Sequence, residues 1–260
     1  MPLTPIPFEF VTLTANGEVH SRSAGQAMLY YEDLGGGIGF EMVAVPGGMV
    51  KMGSLAGQGF PDEIPQHLVS LPGFYLGRFL VTQAVWQAVM NRPPSTRFHG
   101  ANLPLENITW REATAFCQRL AKKTGRAYHL PSETQWECAC RAGTTTPFST
   151  GETITTEAAN YVGEHTYRGE PRGIYRHGVT PAGTFLPNPW GLYDLHGNLW
   201  EYCAGRWHPD YNGAPFSGEP GCRVARGGSW HEPPTNCRCA TRLRVLESER
   251  DDFYGFRVAL

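Results

Sequence analysis

The spacing of hydrophobic and polar positions predicts most of the regular structure in the first half of the chain. The apolar stretch EMVAV, residues 41–45, predicts a strand that ends at a Pro-Gly-Gly turn. The stretch FYLGRFLVT, residues 74–82, predicts a second strand. Thr82 suits the N-cap of a short helix over TQAVWQAVM, in which the apolar positions share one face.

Two capping boxes predict two more helices. The sequence TWRE, which begins at Thr109, and the sequence SETQ, which begins at Ser132, both place a hydroxyl residue three positions before Glu or Gln. We expect the first helix to end at Gly125 and the second to end near Gly143, because glycine commonly terminates helices.

The two ends of the chain show weaker patterns. Residues 1–40 are polar and end in three glycines, which predicts a short strand and a linker that leads into, or packs on, a domain of residues 41–260. After Gly143 the sequence shows turns and short strands in PFSTGE, NPWGLYDLHGNLWEY, RVARGGSW and GFRVAL. Helices in the middle with strands and loops on both sides predict a loop-rich, single-domain α+β fold.

Composition narrows the range of partners. The chain has 260 residues, a formal net charge of −2 and 41% hydrophobic residues, so nothing in its bulk charge favours nucleic acid. It contains no run near the roughly 18 apolar residues of a membrane span. The start of the sequence lacks the features of a secretory signal. We therefore expect a cytoplasmic monomer without membrane contact, in which the seven cysteines are mostly free thiols.

Four segments in order carry a family resemblance: MVAVPGGMVKMGS, LPSETQWECACRAG, NPWGLYDLHGNLWEY and RVARGGSW with YGFRVAL. Together they resemble the formylglycine-generating-enzyme, or sulfatase-modifying-factor, family over residues 40–260. The resemblance implies an irregular variant of the C-type lectin fold. The family includes copper oxidases that act on a sulfatase cysteine, iron-dependent sulfoxide synthases, and proteins without known chemistry. The last group contains the variable proteins of diversity-generating retroelements.

The oxidase chemistry lacks one ligand in this sequence. In the oxidases, copper is held by cysteines three and eight residues after the serine of GGS, and the corresponding residues here are Glu232 and Cys237. A carboxylate is a hard ligand and a poor substitute for a thiolate on Cu(I). We therefore expect neither copper nor catalysis, and we interpret Cys237 as a small buried hydrophobic residue. An oxidase with an altered site and an accessory or sensor domain remain the alternatives.

The sulfoxide-synthase branch is a weaker match. Its iron site requires three histidines supplied mostly by a separate helical domain, and residues 1–40 are too short to form one. The nine histidines show no HxxxH pattern.

The resemblance also implies calcium. The family's calcium loop matches DLHGNLWE, which assigns as ligands the side chains of Asp194 and Glu201 and the carbonyls of Gly197 and Leu199. Hard oxygen donors of this kind suit Ca²⁺. The alternative is that Asp194 caps a turn while Glu201 forms a salt bridge. A second loop would begin at Asn160 and Tyr161, and it lacks an evident downstream aspartate.

The C-terminal region, residues 222–260, predicts a variable binding surface. A constant frame of GGSW, CR, A, R and GFRV is interrupted by residues of mixed chemistry, most of which randomised adenines in an AAC codon could encode. Apolar residues among them favour a surface that binds a protein or another macromolecule. The predicted surface residues are His231, Glu232, Pro233, Thr235, Asn236, Thr241, Leu243, Arg244, Val245, Asp251, Asp252 and Phe253.

Overall fold

The first sheet of the computed structural model is antiparallel and contains the N-terminal strands. The structure describes residues 2–212 and 218–260. Its strands are β1 (Thr4–Leu13), β2 (Val19–Gly35), β3 (Ile38–Val45) and β6 (Phe74–Gly77), and they lie in the order β1-β2-β3-β6. The C-terminal residues extend this sheet, because Tyr75 and Leu260 exchange backbone hydrogen bonds of 2.8 and 2.9 Å.

The N-terminal segment is a long hairpin, so the prediction of a short strand and a linker is wrong. β1 and β2 pair over ten register positions, and β2 continues the sheet by pairing with β3. The apolar residues of β1 alternate at Ile6, Phe8 and Phe10, the period that predicts a half-buried strand. Phe8 packs against buried core residues. The hairpin therefore belongs to the same packed structure as the rest of the chain.

The second sheet carries the C-terminal region. Its strands are β7 (Trp200–Arg206), β8 (Cys222–Arg226), β9 (Arg242–Leu246) and β10 (Tyr254–Gly255). They lie in the order β10-β7-β8-β9, in which β10 runs parallel to β7 and the other pairs are antiparallel. A separate two-stranded sheet pairs β4 (Gly48–Met52) with β5 (His67–Leu71).

The three predicted helices are confirmed: α1 (Gln83–Met90), α2 (Trp110–Thr124) and α3 (Glu133–Arg141). Both capping boxes form, with reciprocal bonds between the N-cap and the third helical residue. Helix α2 ends at a left-handed Gly125, as predicted. Helix α3 ends one residue earlier than expected, at a left-handed Ala142.

The core lies between the helices and the two sheets. One group of buried residues joins α1 and α2 to β7 and the C-terminal segment, through residues such as Trp86, Phe116 and Phe256. A second group packs α3 against both sheets. Among the described residues, no helix is long and apolar enough to cross a membrane. The architecture is therefore a loop-rich, single-domain α+β fold, as the sequence predicted.

Candidate functional site

The segment between β8 and β9 is anchored from the inside by buried arginines. The guanidinium of Arg238 lies 2.8 and 2.6 Å from the two carboxylate oxygens of Glu63. Arg242 donates from Nε to Glu133 at 2.6 Å. These arginines are the R positions of the constant frame in the sequence. The frame thus fixes the segment through charge-assisted hydrogen bonds, and the residues between its members can face outward.

The carboxylates that bind these arginines, Glu63 and Glu133, have pKa values below their ordinary value. Burial alone would raise the pKa of Glu63, but the hydrogen bonds and charge of Arg238, with the hydroxyl of Ser54, lower it below its ordinary value. Burial also opposes ionisation of Glu133, and the charges of Arg242 and Arg226 lower its pKa. Both carboxylates are therefore negatively charged at neutral pH.

Six rings form one partly exposed group at the end of this segment, here called the aromatic surface. The hydroxyl of Tyr175 lies 2.9 Å from Nδ1 of His231. The rings of His231 and Phe253 are nearly parallel, with centroids 6.4 Å apart. Trp230 is buried beneath the group and makes an edge contact with Phe98 at 5.9 Å. The aromatic surface consists of Phe98, Tyr175, His177, Trp230, His231 and Phe253.

A charged pair borders the aromatic surface. Arg97 lies 2.5 Å from the carboxylate of Asp252. The backbone carbonyl of Asp252 accepts a 3.2 Å hydrogen bond from the indole of Trp230. The backbone N–H groups of Arg97 and Phe98 both donate to the wholly buried carboxylate of Glu106, at 2.6 and 3.0 Å. Glu106 thus holds in place a loop that contributes both a charge and a ring.

Sequence reasoning missed the residues that come from outside the C-terminal region. Phe98 and Arg97 lie in a loop before α2, and Tyr175 and His177 lie in an irregular segment before β7. No local pattern marks them, because their contacts with Trp230 depend on the tertiary fold.

Glu232 has no free carboxylate oxygen. Its Oε1 accepts a hydrogen bond from Nε1 of Trp200 at 3.2 Å, and its Oε2 accepts one from Nδ2 of Asn236 at 2.6 Å. Cys237 is wholly buried, and burial raises the pKa of its thiol well above the ordinary value. The site therefore offers one occupied carboxylate and one buried thiol where the oxidases have two thiolates.

The structure brings four of the predicted surface residues to the aromatic surface or its border. His231 is exposed, while Glu232, Asp252 and Phe253 are partly exposed. Asn236 is partly exposed as well and is hydrogen-bonded to Glu232.

Two predicted surface residues are buried, which corrects the sequence prediction. The exposed fraction is 2% for Thr241 and 0% for Val245. The hydroxyl of Thr241 donates to the carbonyl of Thr235 at 3.3 Å, inside the segment. Val245 points into the core from β9. Alternation along β9 explains the error at Val245, because successive side chains of a strand point to opposite faces. Thr241 precedes the strand and is buried by the segment itself.

The remaining predicted residues lie apart from the rings or contribute backbone. Arg244 forms an ion pair with Glu219 at 2.5 Å, and Leu243 is half-buried on the same strand. Asp251 is exposed and accepts a 2.7 Å bond from the N–H of residue 252. Pro233 and Thr235 are partly exposed, and their carbonyls accept bonds from within the segment.

A protein-family model matches most of the chain. The model for the sulfatase-modifying factor enzyme 1-like domain matches residues 39–260. The chain belongs to this family. The resemblance seen in four sequence segments is thereby confirmed.

Curated relatives of this sulfatase-modifying-factor domain include a protein named as a kinase and a protein named as an inactive formylglycine-generating enzyme. The serine/threonine-protein kinase Pkn1 of Chlamydia trachomatis is 28% identical over 253 residues, which are 84% of this chain and 38% of that protein. The inactive C-alpha-formylglycine-generating enzyme 2 of mouse is 30% identical over 186 residues, or 69% of this chain and 56% of that protein. The chain therefore spans well under half the length of the kinase.

Two solved structures share most of the fold. PvdO from Pseudomonas aeruginosa has a TM-score of 0.75 and 30% identity, with coverage of 88% of this chain and 97% of that chain. Variable protein 1 of Treponema denticola has a TM-score of 0.77 and 23% identity, with coverage of 89% and 98%. The prediction of a C-type lectin-like fold of the formylglycine-generating-enzyme type is confirmed.

In the loop that the family resemblance assigns to calcium, the carboxylate of Glu201 is paired with an arginine of the same chain. Both carboxylate oxygens of Glu201 bind the guanidinium of Arg257, at 2.6 and 2.7 Å. The indole of Trp136 donates to one of these oxygens at 3.0 Å. Arg257 also donates to the carbonyl of Gly77 at 3.0 Å. Glu201 therefore forms the buried salt bridge that the sequence allowed as the alternative to calcium.

Asp194 also matches the alternative to calcium. Its Oδ2 accepts the backbone N–H of Gly183 at 2.8 Å, and it has a left-handed backbone with φ of 57°. Its Oδ1 is buried without a hydrogen-bond partner among the described residues, and burial raises its pKa to about 6. In the second loop, Asn160 donates to the carbonyl of Gly178 at 2.8 Å. The hydroxyl of Tyr161 donates to a backbone carbonyl at 3.1 Å.

The donor set as arranged does not fit Ca²⁺. The cation needs six to eight oxygen ligands, and the carboxylate of Glu201 is neutralised by Arg257. Among the described residues, the buried Oδ1 atoms of Asp194 and Asn160 have no hydrogen-bond partner, and with the backbone carbonyls of Gly197 and Leu199 they supply four oxygens, fewer than the cation needs. Calcium binding stays a prediction of the family resemblance.

Proposed function

We propose that this domain is non-catalytic and binds a macromolecular ligand, most simply a protein, through the aromatic surface. The observation that carries the proposal is the state of Glu232, which stands where the oxidases have their first copper thiolate. Both of its oxygens are engaged by Trp200 and Asn236, so it serves the packing of the segment. The mouse relative named as inactive supports the existence of non-catalytic members.

The chemistry of the aromatic surface supports binding. Partly exposed rings over a rigid base supply apolar contact area at a small cost in conformational entropy. The buried Trp230 supports Phe98 and Tyr175 from below, so these rings are held in place before a ligand arrives. The pair of Arg97 and Asp252 adds charged groups at the border. Aromatic and arginine side chains of this kind dominate the binding energy of protein interfaces.

The retroelement version of the proposal makes a finer claim. It holds that exposed positions such as His231 and Asp251 vary between copies of the gene while the arginines of the frame stay constant. The buried environments of Thr241 and Val245 would restrict which replacements are tolerated there. Sequencing the flanking DNA tests this claim. A reverse-transcriptase gene and a near-copy of the 3′ end, with adenines at the exposed positions, are expected; a locus without them contradicts the retroelement version.

Ligand binding can be tested without knowing the natural partner. A phage-displayed peptide library is selected on the purified protein, and the enriched peptides are measured against variants by interferometry. We expect Phe253→Ala and His231→Ala to weaken binding at least tenfold. The matched control is Tyr31→Ala, which removes an exposed ring on the other sheet and should change nothing. Peptides that lose binding with Tyr31→Ala and keep it with Phe253→Ala would contradict the proposed location.

The kinase relatives favour a second candidate, an accessory domain of a larger assembly. In Pkn1 of Chlamydia trachomatis the matching region is only 38% of the protein, whereas it is 97% of the PvdO chain. An immunoblot of the source cells distinguishes the two arrangements. A product near 28.8 kDa that migrates alone on a native gel favours a self-contained binding protein, and a much larger product favours the accessory role.

A further inference from the structure

Two thiols from distant parts of the chain meet in the core. Sγ of Cys140, on α3, lies 3.5 Å from Sγ of Cys239, in the segment between β8 and β9. The two residues are 99 positions apart in the sequence, and both are wholly buried free cysteines. Sequence spacing does not predict this contact, because each residue has a nearer cysteine two positions before it, Cys138 and Cys237.

The backbone on both sides of the contact is held by hydrogen bonds. The side-chain amide of Asn188 donates to the carbonyls of Ala139 and Cys140 at 2.7 and 3.3 Å. The backbone N–H of Cys239 donates to the carbonyl of Pro147, in the loop after α3, at 2.8 Å. The folded backbone therefore places the two thiols next to each other.

The neighbouring histidine does not compete for these thiols. Sγ of Cys140 lies 3.8 Å from Nε2 and 3.9 Å from Nδ1 of His196, so it points at neither nitrogen. Both nitrogens have other partners, since Nδ1 lies 2.8 Å from the carbonyl of Cys237 and Nε2 lies 3.1 Å from the backbone nitrogen of Ser149. The S–H of Cys140 donates instead to Sγ of Cys239.

This hydrogen bond makes the two thiols differ in acidity. Burial raises the pKa of Cys140, and the contact with Cys239 raises it further. Burial also opposes ionisation of Cys239, but the S–H of Cys140 and the positive charge of Arg141 lower the pKa of Cys239 below its ordinary value. The thiolate is the form of cysteine that attacks a disulfide. Cys239 is therefore the attacking residue of the pair.

We propose that Cys140 and Cys239 form a disulfide that links α3 to the segment between β8 and β9, with a low-molecular-weight disulfide, RSSR, as the oxidant. The thiolate of Cys239 attacks one sulfur of RSSR, which gives a mixed disulfide and releases RS⁻. That RS⁻ takes the proton of Cys140, whose thiolate then displaces the second RS⁻ from the mixed disulfide. The proton that Cys239 had given to solvent completes the second RSH, so two thiols are oxidised and RSSR is reduced to two RSH.

The reaction requires a small movement and access to the sulfurs. The bond length in a disulfide is about 2.0 Å, so the sulfurs must approach each other by about 1.5 Å from their separation of 3.5 Å. Both sulfurs are buried in the folded chain, so the exchange takes place while the chain folds. The bond then forms as the native contacts bring the thiols together.

The bond would stabilise the base of the segment. A cross-link restricts the unfolded chain, and the effect grows with the length of the loop that it closes. Cys239 follows Arg238, whose guanidinium already binds Glu63, so the disulfide adds a covalent connection to α3 beside this ion pair. The inference does not depend on ligand binding at the aromatic surface, and the two can fail separately.

Peptide mapping identifies the bond directly. The reduced full chain is refolded with oxidised glutathione, its remaining thiols are alkylated, and the tryptic peptides are analysed by mass spectrometry without reduction. Cleavage after Arg238 places Cys239 in the peptide of residues 239–242, apart from Cys237. We expect that peptide to be linked to the peptide of residues 127–141.

Serine variants assign the bond and its effect on stability. The peptide of residues 127–141 contains both Cys138 and Cys140, so Cys138→Ser is the matched control and should keep the link, whereas Cys140→Ser should lose it. We expect the oxidised wild type to melt at least about 5 °C above the same protein treated with a phosphine reductant. Cys138→Ser should keep this difference, and Cys140→Ser and Cys239→Ser should each abolish it.

Three results would overturn the proposal. The first is a folded protein, refolded with oxidised glutathione, in which Cys140 and Cys239 are both alkylated. The second is a link from either residue to a different cysteine. The third is an oxidised protein that melts no higher than the reduced one. All three are measured on the wild type, so they decide the matter even if a serine variant fails to fold.

Discussion

The carboxylate of Glu232 accepts a hydrogen bond from the indole of Trp200, and this contact joins the segment between β8 and β9 to strand β7. The oxygen and nitrogen are 3.2 Å apart, and the two residues are 32 positions apart in the sequence. The second oxygen of Glu232 is bound by Asn236. In the sequence, Glu232 occupies the position of a copper ligand of the oxidases. In the structure, its two hydrogen bonds hold the segment in place.

Loss of the hydrogen bonds of Glu232 should lower the stability of the folded protein. Glu232→Ala leaves the N–H of Trp200 without its partner, which should reduce the free energy of unfolding by about 1–3 kcal/mol. Urea unfolding followed by circular dichroism measures the change. His231→Ala, at the exposed neighbouring position, should change it by less than about 0.5 kcal/mol. A change in the free energy of unfolding for Glu232→Ala as small as that expected for His231→Ala would contradict a structural role for Glu232.

The pair of Glu63 and Arg238 should make stability depend on pH. The pKa of Glu63 is lower in the folded protein than its ordinary value of 4.5, so the pair contributes fully above pH 4.5 and its contribution is lost as the pH falls further. Glu63→Gln leaves a buried guanidinium without its charge partner and should cost about 3–5 kcal/mol at pH 7. The difference from the wild type should shrink below pH 4.5.

An exposed ion pair provides the control for this measurement. Glu152 and Arg168 lie 2.9 Å apart with about half of each side chain exposed. Glu152→Gln should cost no more than about 1 kcal/mol at any pH, because solvent screens exposed pairs. A difference for Glu63→Gln that stays constant from pH 3 to pH 7 would contradict the assignment of the lowered pKa.

Substitutions across the predicted variable region should separate into two classes. His231→Ala and Asp251→Ala remove exposed side chains, and each should change the free energy of unfolding by less than about 0.5 kcal/mol. Val245→Ala removes buried methyl groups and should cost about 2 kcal/mol. Thermal melting of the single and combined variants checks this. If Val245→Ala is as neutral as the exposed substitutions, the placement of β9 is wrong.

A stability measurement distinguishes calcium binding at Glu201 from the salt bridge between Glu201 and Arg257. If Arg257 already neutralises Glu201, the melting temperature should be the same in CaCl₂ and in EDTA, and Glu201→Gln should lower it equally in both. A ligand that binds only the folded state would instead raise the melting temperature with concentration. A rise with CaCl₂ that Asp194→Ala or Glu201→Gln abolishes would restore the calcium site implied by the family resemblance.

Local chemistry accounts for the parts of the fold that could be predicted. The N-caps Thr82, Thr109 and Ser132 each depend on contacts within four residues, so the sequence alone identifies three helix starts. The N-terminal hairpin was missed although Ile6, Phe8 and Phe10 alternate, because polar residues and glycines dominate the rest of the segment.

Long-range contacts account for what could not be predicted. Arg238 and Glu63 are 175 positions apart, and Arg257 and Glu201 are 56 apart. Only the folded chain shows that the guanidinium of Arg257 binds the carboxylate of Glu201. The aromatic surface depends in the same way on Phe98 and Tyr175, which the sequence gives no reason to associate with Trp230.

The most direct test of a non-catalytic domain is copper binding with turnover of a cysteine peptide. The protein is titrated with Cu(I) without oxygen, then given oxygen and a sulfatase-type peptide, and the products are analysed by mass spectrometry. Glu232→Cys, which supplies the missing first thiol, is assayed in parallel to show whether the missing ligand alone limits the reaction. We predict no thiolate-bound copper and no formylglycine for the wild type. Stoichiometric copper on Cys237 with formylglycine product would contradict the account.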